Sequence, residues 1–262
     1  MLSIVLLALG GLVGGLLSGM LGIGGGIVVV PLLIYLLPVM GVPAALVVPM
    51  AVGTSLATIV VTAASGALTH YKNGLILWPW VKLIAPFLIV GGILGGYIGA
   101  SIDPVVLQRI FATVLILLAV RMIWKLQPRA EGKRIRRTPV RIWSASIGVV
   151  SSLVGIGGGA LVVPLLRYYQ VMMRNAVAVA AVCSVLLAMF GAATYVWTGI
   201  GRVDVAWSLG YIYLPAWLGI GVVSALVAPL GATLAHRMPV RYLQRVFALL
   251  LIVVSLHLFV SS

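Results

Sequence analysis

The sequence predicts an all-α polytopic membrane protein: an inverted repeat of two five-segment halves. Each half holds a glycine-broken or re-entrant helix pair plus three transmembrane helices. Three observations predict it. The 262 residues are 63% hydrophobic and 8% charged, and apolar runs near the roughly 20 residues that cross a bilayer recur from end to end. A glycine block occurs twice, as SGMLGIGGGIVVVPLL at 18–33 and SSLVGIGGGALVVPLL at 151–166, with eleven of 16 positions identical. The 17 Lys and Arg residues fall between the apolar spans, mostly on one side of the membrane those spans imply.

The first half, 1–126, opens with an apolar arm at 2–21, a glycine turn at 22–26 and a second arm at 27–37. Long helices follow at about 44–69, 77–100 and 105–125. The basic stretch 127–139 is the one hydrophilic linker. The second half, 140–262, repeats the plan: arm 140–154, glycines 155–159, arm 160–170, then helices at about 174–198, 205–234 and 241–260. Thr54-Ser55 matches Cys183-Ser184 and Pro86 matches Pro215, both at an offset of 129. Leu107-Gln-Arg109 matches Leu243-Gln-Arg245. Residues 1–20 carry no charged leader and run into the repeat, so they read as mature structure rather than a signal peptide.

Five segments per half is an odd number, so the second half sits upside down relative to the first. The charges give an independent reading. With the linker in the cytoplasm, fifteen Lys and Arg collect on that side and only Arg109 and Arg202 lie outside. Cytoplasmic loops are enriched in such residues, so both termini are expected outside an inner (plasma) membrane. Topology also explains the net charge of +14; no aromatic residues interleave with the basic ones, and a nucleic-acid partner is not expected. The arm at 27–37 would rise only about 16 Å as a helix, too short for a hydrocarbon core of roughly 30 Å. Each arm pair therefore reads as a hairpin that breaks near the midplane.

Irregular backbone at membrane depth is tolerated where it is buried in protein or lines a wet cavity. Three consecutive glycines, Gly24, Gly25 and Gly26 or Gly157, Gly158 and Gly159, permit positive φ and close approach to the main chain. The helix that follows offers unpaired N–H groups and the positive end of its dipole. Pro31 and Pro164 suggest that this helix starts near Val30 and Val163, leaving a run of free amides behind the glycines. With the halves inverted, two such N-termini face each other at the midplane and make an anion site built from backbone. Ser18 and Ser151 before the turns, and Thr54, Ser55 and Ser184 on the next helix, can add hydroxyl donors. Glycines at spacings near four, Gly91, Gly92, Gly95, Gly96 and Gly99, read instead as helix packing. The turns resemble a phosphate-binding loop in composition, but no Lys-Ser/Thr follows, which argues against nucleotide binding.

Other residues carry plainer readings. His70 fits a helix C-terminus better than a proton relay, and His236 and His257 lie in a basic loop and near the C-terminus. Three scattered histidines and one cysteine make no metal site and no disulfide, and nothing calls for a cofactor. Cys183 reads as small apolar packing, and Asp204 as a local partner of Arg202. Asp103-Pro104 reads as an N-cap followed by proline at N1. The Trp and Tyr residues lie largely near segment ends and read as interfacial anchors. The apolar spans hold no evident Asp or Glu, which proton-driven carriers commonly use. That favours uniport, anion exchange or coupling through another group, and leaves open whether a proton or no ion is coupled.

These residues resemble the sulfite exporter TauE/SafE family, also called the four-toluene-sulfonate uptake permease family. The resemblance rests on the paired GIGGG and VPLL blocks within 22–33 and 155–166, on Thr54-Ser55 and Cys183-Ser184, and on the length with its basic central loop. It implies transport of small organosulfur compounds or sulfur oxyanions, such as sulfite, thiosulfate, sulfoacetate or other sulfonates. The expectation is a secondary transporter that works by alternating access between the two glycine turns. The alternatives are an anion channel and, from another class, a membrane enzyme or assembly factor. The last lacks support, because the sequence holds no paired carboxylates, metal-ligand cluster or nucleophile–base set.

Overall fold

The computed structural model describes residues 7, 9–16, 25–123, 137–235, 248–249, 251–256 and 258–259. Ser18, Gly24, His236, His257 and most of the basic linker lie outside the described residues. The helices are α1 (Gly26–Val39), α2 (Ala44–Lys72), α3 (Trp78–Ser101), α4 (Pro104–Ile123), α5 (Arg137–Val154), α6 (Gly159–Tyr168), α7 (Met173–Gly199) and α8 (Leu214–Ala235). Residues 9–16 and 251–256 are also helical. Among the described residues α2, α3 and α7 are long and apolar enough to cross a membrane, and the fold is that of a multi-pass α-helical membrane protein.

The sequence explains where several elements begin and end. Asp103 caps α4: its Oδ1 accepts the Val105 N–H at 2.8 Å and the Val106 N–H at 3.4 Å, with Pro104 in the first turn. His70 and Lys72 occupy the last turn of α2, where the helix dipole favours positive charge. Helix α1 has 14 residues and α6 has 10, so they rise about 21 and about 15 Å. Neither reaches across a core of roughly 30 Å.

Two expectations about boundaries are corrected. First, α1 and α6 start at the glycines, at Gly26 and Gly159, not near Val30 and Val163. Pro31 and Pro164 therefore lie inside their helices. Each removes one N–H from the ladder, at the carbonyl four residues back in the first helical turn. Membrane helices absorb such losses, because surrounding protein re-satisfies the freed groups; Pro49 and Pro86 lie inside α2 and α3 in the same way. Second, the helix expected over 205–234 begins only at Leu214. The segment before it folds as an antiparallel hairpin, β1 (Ser208–Leu209) and β2 (Ile212–Tyr213), with Ser208 opposite Tyr213 and Leu209 opposite Ile212. Gly210 turns the hairpin at φ 55 and Trp207 enters it at φ 62.

The halves pack by exchange. Helix α5 lies along α3, glycine against backbone: Gly91 meets the carbonyl of Ala145, Gly95 that of Val149, and Gly148 that of Leu88. Residues 9–16 meet α8 in the corresponding way. A Cβ on Gly15 would stand 2.7 Å from Ser224 Cα, and Ser224 Oγ donates to the Gly11 carbonyl at 2.8 Å. The repeat register places Gly15 opposite Gly148 and Gly95 opposite Ser224. The first segment of each half thus packs on the fourth segment of the other. The packing role read for the α3 glycines is what these contacts display. Helices α2 and α7 pack directly on each other at the centre.

Candidate functional site

The caps of the two short helices have the same local geometry. Gly25 caps α1 at φ 74, ψ −17, and Gly158 caps α6 at φ 77, ψ −22. This left-handed conformation costs an L side chain roughly 1–2 kcal/mol, which accounts for glycine at both caps. Gly25 O accepts the N–H groups of Val28 and Val29 at 3.0 and 3.1 Å; Gly158 O accepts those of Leu161 and Val162 at 3.0 and 2.9 Å. No side chain caps either helix. The amides of Gly26, Ile27, Gly159 and Ala160 stand ahead of the helical ladder, with no carbonyl of their own turn to bond.

Ahead of α6 the chain is wound more tightly still. Gly155 ends α5 at φ 71, and the Ile156 N–H returns to the Ser151 carbonyl at 3.0 Å. This is the Schellman arrangement, which needs a left-handed residue at Gly155. Gly157 follows at φ 54. Every residue from 151 to 159 is buried.

The turns meet. A Cβ on Gly26 would run into the carbonyl oxygen of Gly155 and stand 3.1 Å from Ser55 Oγ. Ser55 Oγ donates to that same carbonyl at 3.0 Å, across 100 residues of sequence. The Ile59 side chain fills the space between: its Cδ1 lies 2.6 Å from a Cβ on Gly26, and its Cγ2 lies 2.7 Å from a Cβ on Gly157. In this conformer, then, the start of α1 and the turn before α6 are in direct contact.

The remaining described site residues of the sequence reading are held in different ways. Thr54, beside Ser55, accepts the Tyr213 N–H on its Oγ1 at 2.9 Å and so anchors the hairpin. Ser151 is 1% exposed, and its Oγ has no hydrogen-bond partner. It lies 3.8 Å from where a Cβ on Gly158 would stand, so an unused donor faces the α6 cap. Ser184 is buried on α7, at the position equivalent to Ser55. The repeat register maps Gly155 onto Gly22, which lies outside the described residues together with Gly24 and Ser18. Cys183 is buried among apolar neighbours, as its packing reading expects.

Sequence reasoning missed three participants. Ile59 carries no polar mark, and nothing in its residue type distinguishes a wedge from lipid-facing sequence. The hairpin was missed because its apolar residues suit a helix as well as a strand; Gly210 was the available signal. Tyr195 was grouped with interfacial aromatics, yet it is fully buried, edge-on to Tyr211 at 6.2 Å and 85°.

The family profile described as Sulfite exporter TauE/SafE matches residues 7–258. A probable membrane transporter protein of Haemophilus influenzae is 38% identical over 260 residues, covering 98% of each chain. The probable membrane transporter protein YunE of Bacillus subtilis is 27% identical over 98% of this chain and 97% of its own. A probable membrane transporter protein of Methanocaldococcus jannaschii is 26% identical over 98% of this chain and 96% of its own. No solved structure matches. The chain belongs to the sulfite exporter TauE/SafE family.

Proposed function

We propose that this membrane transporter is a secondary carrier of small sulfur-containing anions, sulfite, thiosulfate and sulfonates being the class to test. The anion is held where the α1 and α6 caps face each other. The observation that carries the reading is the matched pair of left-handed glycine caps, Gly25 and Gly158, joined at Gly26 and Gly155. Amides at two helix N-termini supply partial positive charge without a fixed cation. Such a site binds an anion and still lets it go, which a carrier requires. Gly24, Gly25, Gly26, Gly157, Gly158 and Gly159 donate through the backbone. Ser18, Ser151, Thr54, Ser55 and Ser184 are the candidate side-chain donors, and the Ser151 hydroxyl stands without a partner.

The carrier consists of a first repeat, 1–126, a cytoplasmic linker, 127–139, and a second repeat, 140–262, in inverted orientation in the inner membrane with both termini outside. The reciprocal packing of α5 on α3 and of residues 9–16 on α8 supports this plan. The contact of Gly26 with Gly155 corresponds to the occluded member of an alternating-access cycle. The two turns separate to admit the anion, and Ile59 retreats with them.

Uptake of labelled sulfite, thiosulfate and sulfonates into proteoliposomes, with and without a pH gradient, tests the reading. A carrier gives saturable uptake with counterflow, whereas a channel gives neither. Gly25→Val and Gly158→Val are expected to abolish flux while the protein still inserts. Normal transport by both variants removes the turns from the mechanism.

A further inference from the structure

Two more buried hydroxyls have no hydrogen-bond partner: Ser152 Oγ, next to Ser151, and Tyr195 OH. Both residues are fully buried. A hydroxyl sealed from water without a partner is a large uncompensated cost for one group. The neighbouring helices show the ordinary remedy. Thr58, Thr62, Ser144, Thr194 and Thr198 each donate to the carbonyl four residues back. Ser152 has the Gly148 carbonyl at that same offset and does not use it.

The two hydroxyls point into one seam. Ser152 Oγ lies 3.3 Å from where a Cβ on Gly96 would stand and 2.9 Å from that of Gly191. Tyr195 OH lies against Gly99, closer than any Cβ there would permit. Gly96 and Gly99 are three apart on α3, and Gly191 and Tyr195 are four apart on α7, so each pair shares a helix face. The glycines let side chains of neighbouring helices close on the seam: Thr194 and Leu153 also reach Gly96 and Gly99, and Leu56 reaches Gly191. Thr194 Oγ1 is already bonded to the Phe190 carbonyl, which leaves Ser152 and Tyr195 as the unpaired hydroxyls. At one end Ser152 adjoins Ser151 and the turn at Gly155. At the other the Tyr195 ring abuts Tyr211 of the hairpin, and its Cβ lies 3.2 Å from a Cβ on Gly53.

Resting on the carrier reading, we propose that Ser152 and Tyr195 are anion-binding donors that extend the site from the α6 cap along the α3–α7 seam toward the hairpin. Their ligand is a small oxyanion, whose several oxygens can accept from more than one hydroxyl at once. In the occluded conformer both donors wait unpaired. When the turns part and the anion enters the seam, each hydroxyl gains an acceptor.

Tyr195→Phe and Ser152→Ala test this in the full chain, beside Gly158→Val, with thiosulfate and sulfite as the probes. Removing an unpaired donor costs the anion-free protein nothing, so both variants should melt at or above the wild-type temperature. The concentration for half-maximal uptake should rise about tenfold or more, the scale of one hydrogen bond to a charged group. Should Tyr195→Phe fail to fold, Ser152→Ala decides alone. Variants that melt below wild type and keep its half-saturation mark the hydroxyls as structural and overturn the proposal. If that happens while Gly158→Val is inactive, the carrier reading stands without this extension. If Gly158→Val also transports normally, or the wild type moves neither anion, both fall.

Discussion

Gly26→Ala is the perturbation that isolates contact between the two turns. Gly26 lies in the first turn of α1 with ordinary helical φ, so alanine there carries no conformational penalty and is favoured by up to about 1 kcal/mol in intrinsic propensity. Any loss must come from what the new methyl meets. It meets the carbonyl oxygen of Gly155, with Ile59 Cδ1 at 2.6 Å and Ser55 Oγ at 3.1 Å. The Ile59 methyl can turn aside. The Gly155 carbonyl cannot, because it belongs to a left-handed residue held by the α5 cap and is bonded by Ser55 at 3.0 Å. Overpacking of this kind costs about 1–3 kcal/mol, and breaking the Ser55 bond adds about 1 kcal/mol. At about 1.4 kcal/mol per tenfold, the contact conformer should lose tenfold or more of its population. Proteoliposome uptake should fall by a similar factor, and the melting temperature should drop by several degrees. Gly66→Ala on α2 is the control, because a Cβ there meets nothing within 4 Å. It should be neutral or slightly stabilising. If Gly26→Ala matches Gly66→Ala in both uptake and melting, the turns do not work through their contact.

Two further substitutions probe the supports of the site. Thr54→Val removes the acceptor of the Tyr213 N–H and should cost about 1–3 kcal/mol, read as faster hydrogen exchange at the Tyr213 amide and a lower melting temperature. Unchanged exchange would mean the hairpin is held elsewhere. Asp103→Ala removes the α4 cap and should cost about 1 kcal/mol in thermal stability with transport unchanged; Asp103→Asn should restore most of it.

The sequence is most legible where a residue type has one physical use. Asp103-Pro104 can hardly be other than a helix start, and Asp103 Oδ1 bonds the first turn as that reading requires. Glycines at spacings of three and four lie on one helix face and pack, as Gly91 and Gly95 do against α5; three in a row break the helix, as at Gly157 and Gly158. Legibility fails where two uses compete. Pro31 can open a helix or sit inside one, and tertiary packing around α1 decided for the interior. The segment before Leu214 aligns with the first two turns of α3, Trp207 with Trp78, and its apolar residues suit either form. Gly210 and the Thr54 acceptor, a long-range contact, tip it into a hairpin. Tyr195 reads as an anchor because tyrosine is amphipathic; only the fold reveals that its hydroxyl is buried instead.

The exchange of elements between the halves bears on how such a site would open. Gly26 begins the short α1, which packs on α2 of its own half, while Gly155 ends α5, which is fastened along α3 of the other half. Contact between the turns is therefore contact between two different packing groups. A small displacement of α1 and α2 against α3 and α5 changes the Gly26 to Gly155 distance directly, without unfolding either turn. Across that boundary run the hydroxyl bond from Ser55, the side chain of Ile59, and Val30 and Val52 packed against Gly155. In the proposed parted state, the amides at the two helix starts would face the gap together with the Ser151 hydroxyl, which has no partner here. Those donors favour a negatively charged occupant over an empty gap. An anion that satisfies them would lower the energy of the parted state, which is how a solute would drive its own admission in the proposed carrier.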